Sequence, residues 1–438
     1  MRKFLSITAV GLLTAAFLGA PPALAHEKSF DQVSPPTAEE RQAELAAAPD
    51  GQAECVDGMA AGTYPCDGID MLDHLWLEDL GLSFANDMWG WTDPASKKDY
   101  AIVGGTEGTV FVDISDPSNA TVVGMLPAHT LDPDRPFWRD IKVHDNHAFV
   151  VSEQLEHGMQ VFDLTRLRTE SGTFTEDAHY GDFTAHNVNI NEDTGFAYVV
   201  GARNPDRSLN CAGGLHMVDI SAPTSPSFAG CFDEHGYIHD TQCVVYSGPD
   251  ADYAGREICV NSNAKVVSAD PFEVENRVAI VDVTDKSNPV SIARMPYTED
   301  GHSHQGWFTP DQRYFLHGDE LDELSHGVNT RTRIWDMTDL DNPAHIGTFD
   351  NDTTSIDHNI YTEHKLAYAS NYTSGLRVYQ TARIGMGTLK EVAFFDVYPE
   401  NDNASFEGGT WSNYGYFQQD VIGVSTMDRG LFILRKVN

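Results

Sequence analysis

Four histidines in this 438-residue chain recur in one local setting. His186-Asn187, His239-Asp240, His304-Gln305 and His358-Asn359 each open a segment that reads as a β-strand. A neutral imidazole offers one nitrogen lone pair and is the commonest protein ligand for transition metals. Imidazoles far apart in sequence can share an ion when a repeat brings equivalent positions together. Such a site, with few sulfur donors, suits Zn²⁺, Cu²⁺, Fe²⁺ or Mn²⁺ better than Ca²⁺. Asp87, Asp140, Asp240 and His302 are weaker candidates for the same set. Glu153, Asp319 and Glu320 follow predicted second strands and are candidates to face the same funnel. A structural reading of the histidines stands beside the metal reading. One polar residue per repeat can hydrogen-bond the neighbouring strand, and His beside Asp or Asn suits that role. Side chains alternate along a strand, so only one member of each pair is expected to face a shared axis.

Other chemistry is sparser. Asp350 and Asp352, and Asp402 with Glu407, offer the oxygen ligands that Ca²⁺ takes, without EF-hand spacing. Trp89, Trp91, Trp307 and Trp411 read as core between repeats. There is no G-x-S-x-G elbow, H-E-x-x-H pair, phosphate-binding glycine loop or dinucleotide fingerprint. Catalytic residues therefore remain unassigned. Two function classes follow: a binding or interaction module for a protein, glycan or small molecule, and a metal-dependent oxidoreductase, lyase or hydrolase with an axial histidine cluster. Unrelated seven-bladed propellers hold metals with axial histidines, in oxygenases and in lyases, which is an analogy of fold alone.

The elements that must position these residues form a repeat. An apolar strand ending in Asp recurs, as TVFVD at Asp113, MQVFD at Asp163, LHMVD at Asp219, VAIVD at Asp282 and RIWD at Asp336. The steps between these aspartates are 50, 56, 63 and 54 residues. Degenerate copies end near Gln380 and Val437. A polar pair opens each unit: Asn86-Asp87, Arg139-Asp140, the four histidine pairs, and Trp411-Ser412. Seven units of about four short strands predict an all-β, seven-bladed propeller of four-stranded blades. The domains expected are a signal peptide over 1–25, a linker over 26–70 with a short helix from Thr37 to Ala48 and the Cys55/Cys66 loop, and the propeller over 71–438. The stretch from Leu75 to Leu80 is expected to close the ring against Leu431 to Val437. Long polar loops, among them 201–214, 261–276, 318–331 and 400–410, fall on one face, where binding sites usually form.

The D-I-S-x-P-x-x-P phrases resemble those of LVIVD-repeat proteins. The loop CVDGMAAGTYPC, the HN, HD and HQ strand starts and the closing run FFDVYPENDNASFEGGTWSNYGYF resemble the bacterial choice-of-anchor B family. The resemblance covers roughly residues 50 to 438. It implies a secreted bacterial β-propeller and assigns no activity. Family members carry surface-anchoring tails. The run from Leu431 to Asn438 reads as a strand instead, so an unanchored form is expected.

Compartment and charge agree with this. Arg2 and Lys3 precede an uncharged apolar run from Phe4 to Ala20, and Ala23-Leu24-Ala25 is a small-x-small cleavage site. This predicts a Sec-type signal peptide and a secreted or periplasmic product. Six cysteines in such a chain predict disulfides. Spacing favours Cys55–Cys66, Cys211–Cys231 and Cys243–Cys259. Lys and Arg number 28 against 66 Asp and Glu, a formal net charge of -38 that repels nucleic acid and anionic membrane. An apolar share of 41% supports a packed core, and 36 Gly with 21 Pro fit a turn-rich β chain. No later stretch could span a bilayer, and a monomer is expected.

Overall fold

The computed structural model describes residues 33, 36–48, 51–132, 138–264 and 276–437. The expected signal peptide lies outside the described residues. Seven antiparallel four-stranded units stand in a ring. Blade 1 comprises Ala85–Thr92, Asp99–Gly105, Gly108–Asp113 and Thr121–Pro127. The first strands of blades 2 to 6, which line the channel, are Arg139–His144, Asn187–Asn191, Ile238–Val245, Ser303–Phe308 and Ile360–Glu363. Blade 7 is built from Thr410–Tyr414, Ile422–Thr426 and Gly430–Lys436, and its fourth strand, Ile69–Leu75, comes from the other end of the chain.

That closure was expected, but not with these residues. Leu75 pairs with Leu431 and Ile69 with Lys436, so the closing strand lies before Leu75. Leu77–Leu80 is a helical turn. Asp79 accepts the backbone N–H of Trp76 at 3.0 Å, and Gly81 ends the turn in the left-handed region at φ 70°. A capped turn with a glycine stop outweighs the strand-like apolar pattern of Leu75-Trp-Leu. Upstream, the helix Ala38–Ala47 begins on a Thr37–Glu40 capping box. The strand Tyr64–Asp67 extends blade 6 by pairing Cys66 with Phe395.

The recurrent aspartate has a structural cause. Asp113, Asp163, Asp219, Asp282 and Asp336 each accept, at 2.9 Å, the backbone N–H of the Ser or Thr two residues on. The carboxylate thereby shapes the bend that leaves the third strand. Apolar side chains flanking that strand fill the clefts between blades, as Val110 and Val112 do against Leu431 and Ile433. Full burial of each is worth about 1.5–3 kcal/mol. Blades are also tied by polar side chains. Asp140 of blade 2 accepts the Val188 N–H at 2.7 Å, Asn189 of blade 3 that of Cys243 at 2.9 Å, and Gln305 of blade 5 that of Ile360 at 2.9 Å.

All three expected disulfides form. Cys243 and Cys259 are directly opposite in the first two strands of blade 4. Among the described residues, no helix is long and apolar enough to cross a membrane.

Candidate metal centre at the channel mouth

The polar pairs sit where each first strand enters the channel. In blades 1, 4, 5 and 7 the register shifts at the pair, between Ala85 and Met88, Ile238 and Asp240, Ser303 and Gly306, and Thr410 and Ser412. A bulge re-aims side chains that strict alternation would send to opposite faces. In blades 2, 3, 4 and 6, both members of the pair line one small cavity: Arg139 with Asp140, His186 with Asn187, His239 with Asp240, and His358 with Asn359. The expectation that only one member of each pair faces the axis is therefore corrected.

His186, His239, His304 and His358 follow one another around this cavity. Their ring centres are 4.2, 4.2 and 4.4 Å apart in sequence order. Each is at most 5% exposed. Two imidazoles bound cis to one ion, at metal–nitrogen distances near 2.1 Å, hold their ring centres about 4.5–5 Å apart. Successive rings are thus close to ligand spacing, and of the four, His239 and His304 bring ligand atoms within 4.8 Å of each other and of Glu320. The cavity admits a water-sized body over only about 20 Å³, enough for an ion or a water and too little for a metabolite.

Hydrogen bonds orient the rings. His239 Nδ1–H donates to the His304 carbonyl at 3.0 Å, and His358 Nδ1–H to the Trp411 carbonyl at 2.5 Å. His186 Nδ1–H donates to Glu153 Oε1 at 2.5 Å. Carbonyl and carboxylate oxygens only accept, so the proton must sit on Nδ1 and the lone pair of the neutral ring on Nε2. The two readings of the histidines therefore meet in one geometry. The bond to the neighbouring blade is the kind of bond that fixes a metal-ligating tautomer.

Glu320 completes the group. It is fully buried, and its two oxygens lie 3.9 Å from His304 Nε2 and 3.9 Å from His358 Nε2. One ligand atom each from His239, His304 and Glu320 falls within 4.8 Å of the other two. Tyr372 O–H donates to Glu320 Oε1 at 2.8 Å. Burial, then the Glu320 charge, push the Tyr372 phenol well above its usual range. Tyr372 also holds a positive φ of 29°, a conformation that costs a non-glycine residue about 1–3 kcal/mol. It had no signal in the sequence beyond its place in a tight turn. Burial works against a charge on His186, but the Glu153 carboxylate outweighs it and raises that imidazole above its ordinary value.

Beneath the arc the chemistry changes. Lys142 contacts Asp140, stands 3.6 Å from Asp87 Oδ2, and lies 4.6 Å above the Trp89 ring. Burial raises the Asp87 carboxyl well above its usual range. For Asp140, burial is overcome by Lys142, and the carboxyl falls below its usual range. Asp240 is pushed up to about 7 by burial and by the charge of Asp140. Of these three aspartates, candidate ligands in sequence, Asp87 and Asp140 pair with Lys142, and Asp240 lines the cavity beside His239. Trp89, Trp307, Tyr361 and Tyr414 close the channel below, with ring centres 5.1–6.4 Å apart.

The remaining candidates divide clearly. His302 packs edge-on to His239 at 5.0 Å. Asp319 accepts the backbone N–H groups of Gly301 and His302 and the Tyr297 hydroxyl, so it shapes the loop. Trp411 lines the cavity and stacks on Trp138 at 4.8 Å instead of serving only as core. The proposed calcium loops are not assembled. Asp350 faces Arg331 at 3.2 Å, Asp402 faces Arg377 at 4.0 Å, Glu407 accepts from Asn401 at 3.2 Å, and Asp352 is exposed. None of these four joins a converging group among the described residues.

Fold and site together define a seven-bladed propeller with a histidine-lined channel mouth. Residues 95–126 and 210–234 match the LVIVD repeat, so the propeller carries LVIVD repeats in blades 1 and 3. The matches cover the outer strands of blade 1 and the second half of blade 3. No curated protein matches the chain by sequence. Among solved structures, the WD40 repeats of RRP9 are similar over 85% of this chain and 98% of that one, at 10% identity and a TM-score of 0.51. A protein from Lactobacillus plantarum is similar over 78% and 88%, at 13% identity and a TM-score of 0.48. The likeness to the RRP9 repeats is one of fold alone.

Proposed function

We propose that the protein is an exported β-propeller binding module whose loop-rich face carries a divalent transition-metal centre at the channel mouth. His186, His239, His304 and His358 are its nitrogen donors, and Glu320 is its nearest carboxylate. The observation that carries this reading is the buried arc of four imidazoles, in three of which a hydrogen bond from Nδ1–H puts the lone pair of the neutral ring on Nε2. A set of imidazole nitrogens with one carboxylate favours Zn²⁺, Cu²⁺, Fe²⁺ or Mn²⁺ over Ca²⁺. Three disulfides support an oxidising compartment, and the leader-like pattern at the start of the sequence supports export. The fit of the closing run to the choice-of-anchor B family is part of the same reading.

A second reading, a metal-dependent enzyme, draws on Asp240. Its carboxyl titrates at about 7 beside the imidazoles, where a group can pass a proton at neutral pH. The binding reading leads because the cavity itself is of ion size. Elemental analysis of purified wild type and His239→Ala tests the centre. The expected result is close to one equivalent of metal in wild type and a large loss in the variant. Equal metal in both proteins would reject it.

A further inference from the structure

The same face carries a second buried cluster that the imidazole arc does not use. Asp322 and Glu323 open the short helix Asp322–His326, in the connection between the second and third strands of blade 5. Asp357 ends the connection into blade 6, one residue before His358. The three are 0%, 3% and 6% exposed. One carboxylate oxygen from each lies within 4.8 Å of the other two. Carboxylates are almost never buried unless paired or bound to a cation.

Protein cations do not balance this group. Arg333 Nη2 reaches Asp322 Oδ2 at 2.8 Å, and Arg331 Nε stands 3.9 Å from the same oxygen. Both guanidinium groups address Asp322. Among the described residues, Glu323 Oε2 and Asp357 Oδ1 are buried without a hydrogen-bond partner. The backbone is shaped to admit the third carboxylate. A Cβ at Gly318 would lie 2.0 Å from Asp357 Oδ2, so a larger residue there would displace it.

The geometry points to a calcium site formed by Asp322, Glu323 and Asp357, separate from the histidine centre. The donors are oxygens only, which selects a hard cation. Calcium takes 6–8 oxygens in irregular geometry and accepts carboxylates in one- or two-oxygen mode. Magnesium demands a regular octahedron and keeps several waters, which suits a buried carboxylate cluster less well. The ion would tie the blade 5 connection that carries Glu320 to the segment that carries His358. This inference does not rest on the transition-metal reading, and the two fail separately.

Calorimetric titration of the chelator-treated mature protein with CaCl₂ tests it. Wild type and His239→Ala are both expected to take up one Ca²⁺ with a Kd at or below about 1 mM, the weak end of the range for extracellular modules. Glu323→Gln and Asp357→Asn keep the side-chain shape and are expected to bind at least about tenfold more weakly. Folded wild type showing no saturable uptake through the millimolar range would overturn the proposal, whether or not the variants fold. Unchanged binding in both variants would also overturn it. Mg²⁺ binding as tight as Ca²⁺ would overturn the calcium assignment. Gly318→Ala offers a further check through the backbone, with weaker Ca²⁺ binding expected because its Cβ would displace Asp357.

Discussion

In blades 1 and 2 the channel-lining pairs are Asn86-Asp87 and Arg139-Asp140; in blades 3 to 6 the equivalent positions hold His186, His239, His304 and His358. The first sector brings its own counter-charge. Lys142 sits against Asp87 and Asp140, and Arg139 is held by the Gly105 carbonyl at 2.8 Å and by His157 Nε2 at 2.8 Å. The second sector sets four imidazoles around a cavity of ion size, with the Glu320 carboxylate 3.9 Å from Nε2 of His304 and of His358. One register position therefore does two jobs. In blades 1 and 2 it knits the ring together with fixed charges. In blades 3 to 6 it gathers donors whose charge demand a metal ion can meet.

The comparison breaks first if the fixed charges prove dispensable. Lys142→Met leaves Asp87 and Asp140 buried without their ammonium, and a loss of about 3–5 kcal/mol is expected in urea unfolding. His304→Ala is expected to cost less. A larger loss for His304→Ala would reverse the assignment of structural and binding sectors.

The next effect concerns blade 4, which carries His239. Cys243 and Cys259 are 16 residues apart, and removing both by Cys→Ala is expected to cost about 3 kcal/mol in thermal unfolding. The same variant should weaken metal binding, because the staple lies four residues beyond His239. A stable variant with full metal would show that the strand needs no covalent support.

A third test contrasts the axial histidines with a purely structural one. His216 donates from Nδ1 to Asn210 Oδ1 at 2.8 Å and accepts from the Tyr180 hydroxyl at Nε2, 3.0 Å away. Burial lowers its pKa from 6.5 to about 4. As pH falls below 6.5 the unfolded chain takes up a proton that the folded chain refuses, so stability drops until about pH 4. The loss should reach about 2–3 kcal/mol. His216→Gln should flatten this slope and leave metal content unchanged, as read by urea unfolding across that range.

The smallest effect lies outside the metal ligands. Glu153→Ala releases His186 Nδ1 and should weaken metal binding by about 10–100-fold with little change in stability, read by competition with a chromogenic chelator. Unaltered affinity would remove His186 from the centre.

Much of this was legible before the coordinates. The Asp-ended strands marked five of the seven blades, because one carboxylate shapes the same bend in each of those five units. The cysteine spacings gave the pairing, since Cys243 and Cys259 fall on adjacent strands. The histidine pairs were visible as a column because repeats align equivalent positions. The bulges were not legible. The blade 4 bulge, between Ile238 and Asp240, contains no glycine or proline to mark it, and there His239 and Asp240 both face the cavity. The acidic runs near Asp350 and Asp402 offer oxygens in sequence, but solvent and arginines already satisfy those carboxylates. The buried cluster instead joins Asp322 and Glu323 to Asp357, which only the packing of blade 5 against blade 6 brings together. The closing strand shifted toward Ile69 because a capped turn claimed Leu77–Leu80.

X-ray absorption at the metal edge of the loaded mature protein tests the central claim most directly. The account predicts the multiple-scattering pattern of at least two imidazoles, with metal–nitrogen distances of about 2.0–2.1 Å for Zn²⁺, and its loss in His239→Ala. A first shell of oxygens alone, identical in wild type and His239→Ala, would contradict it.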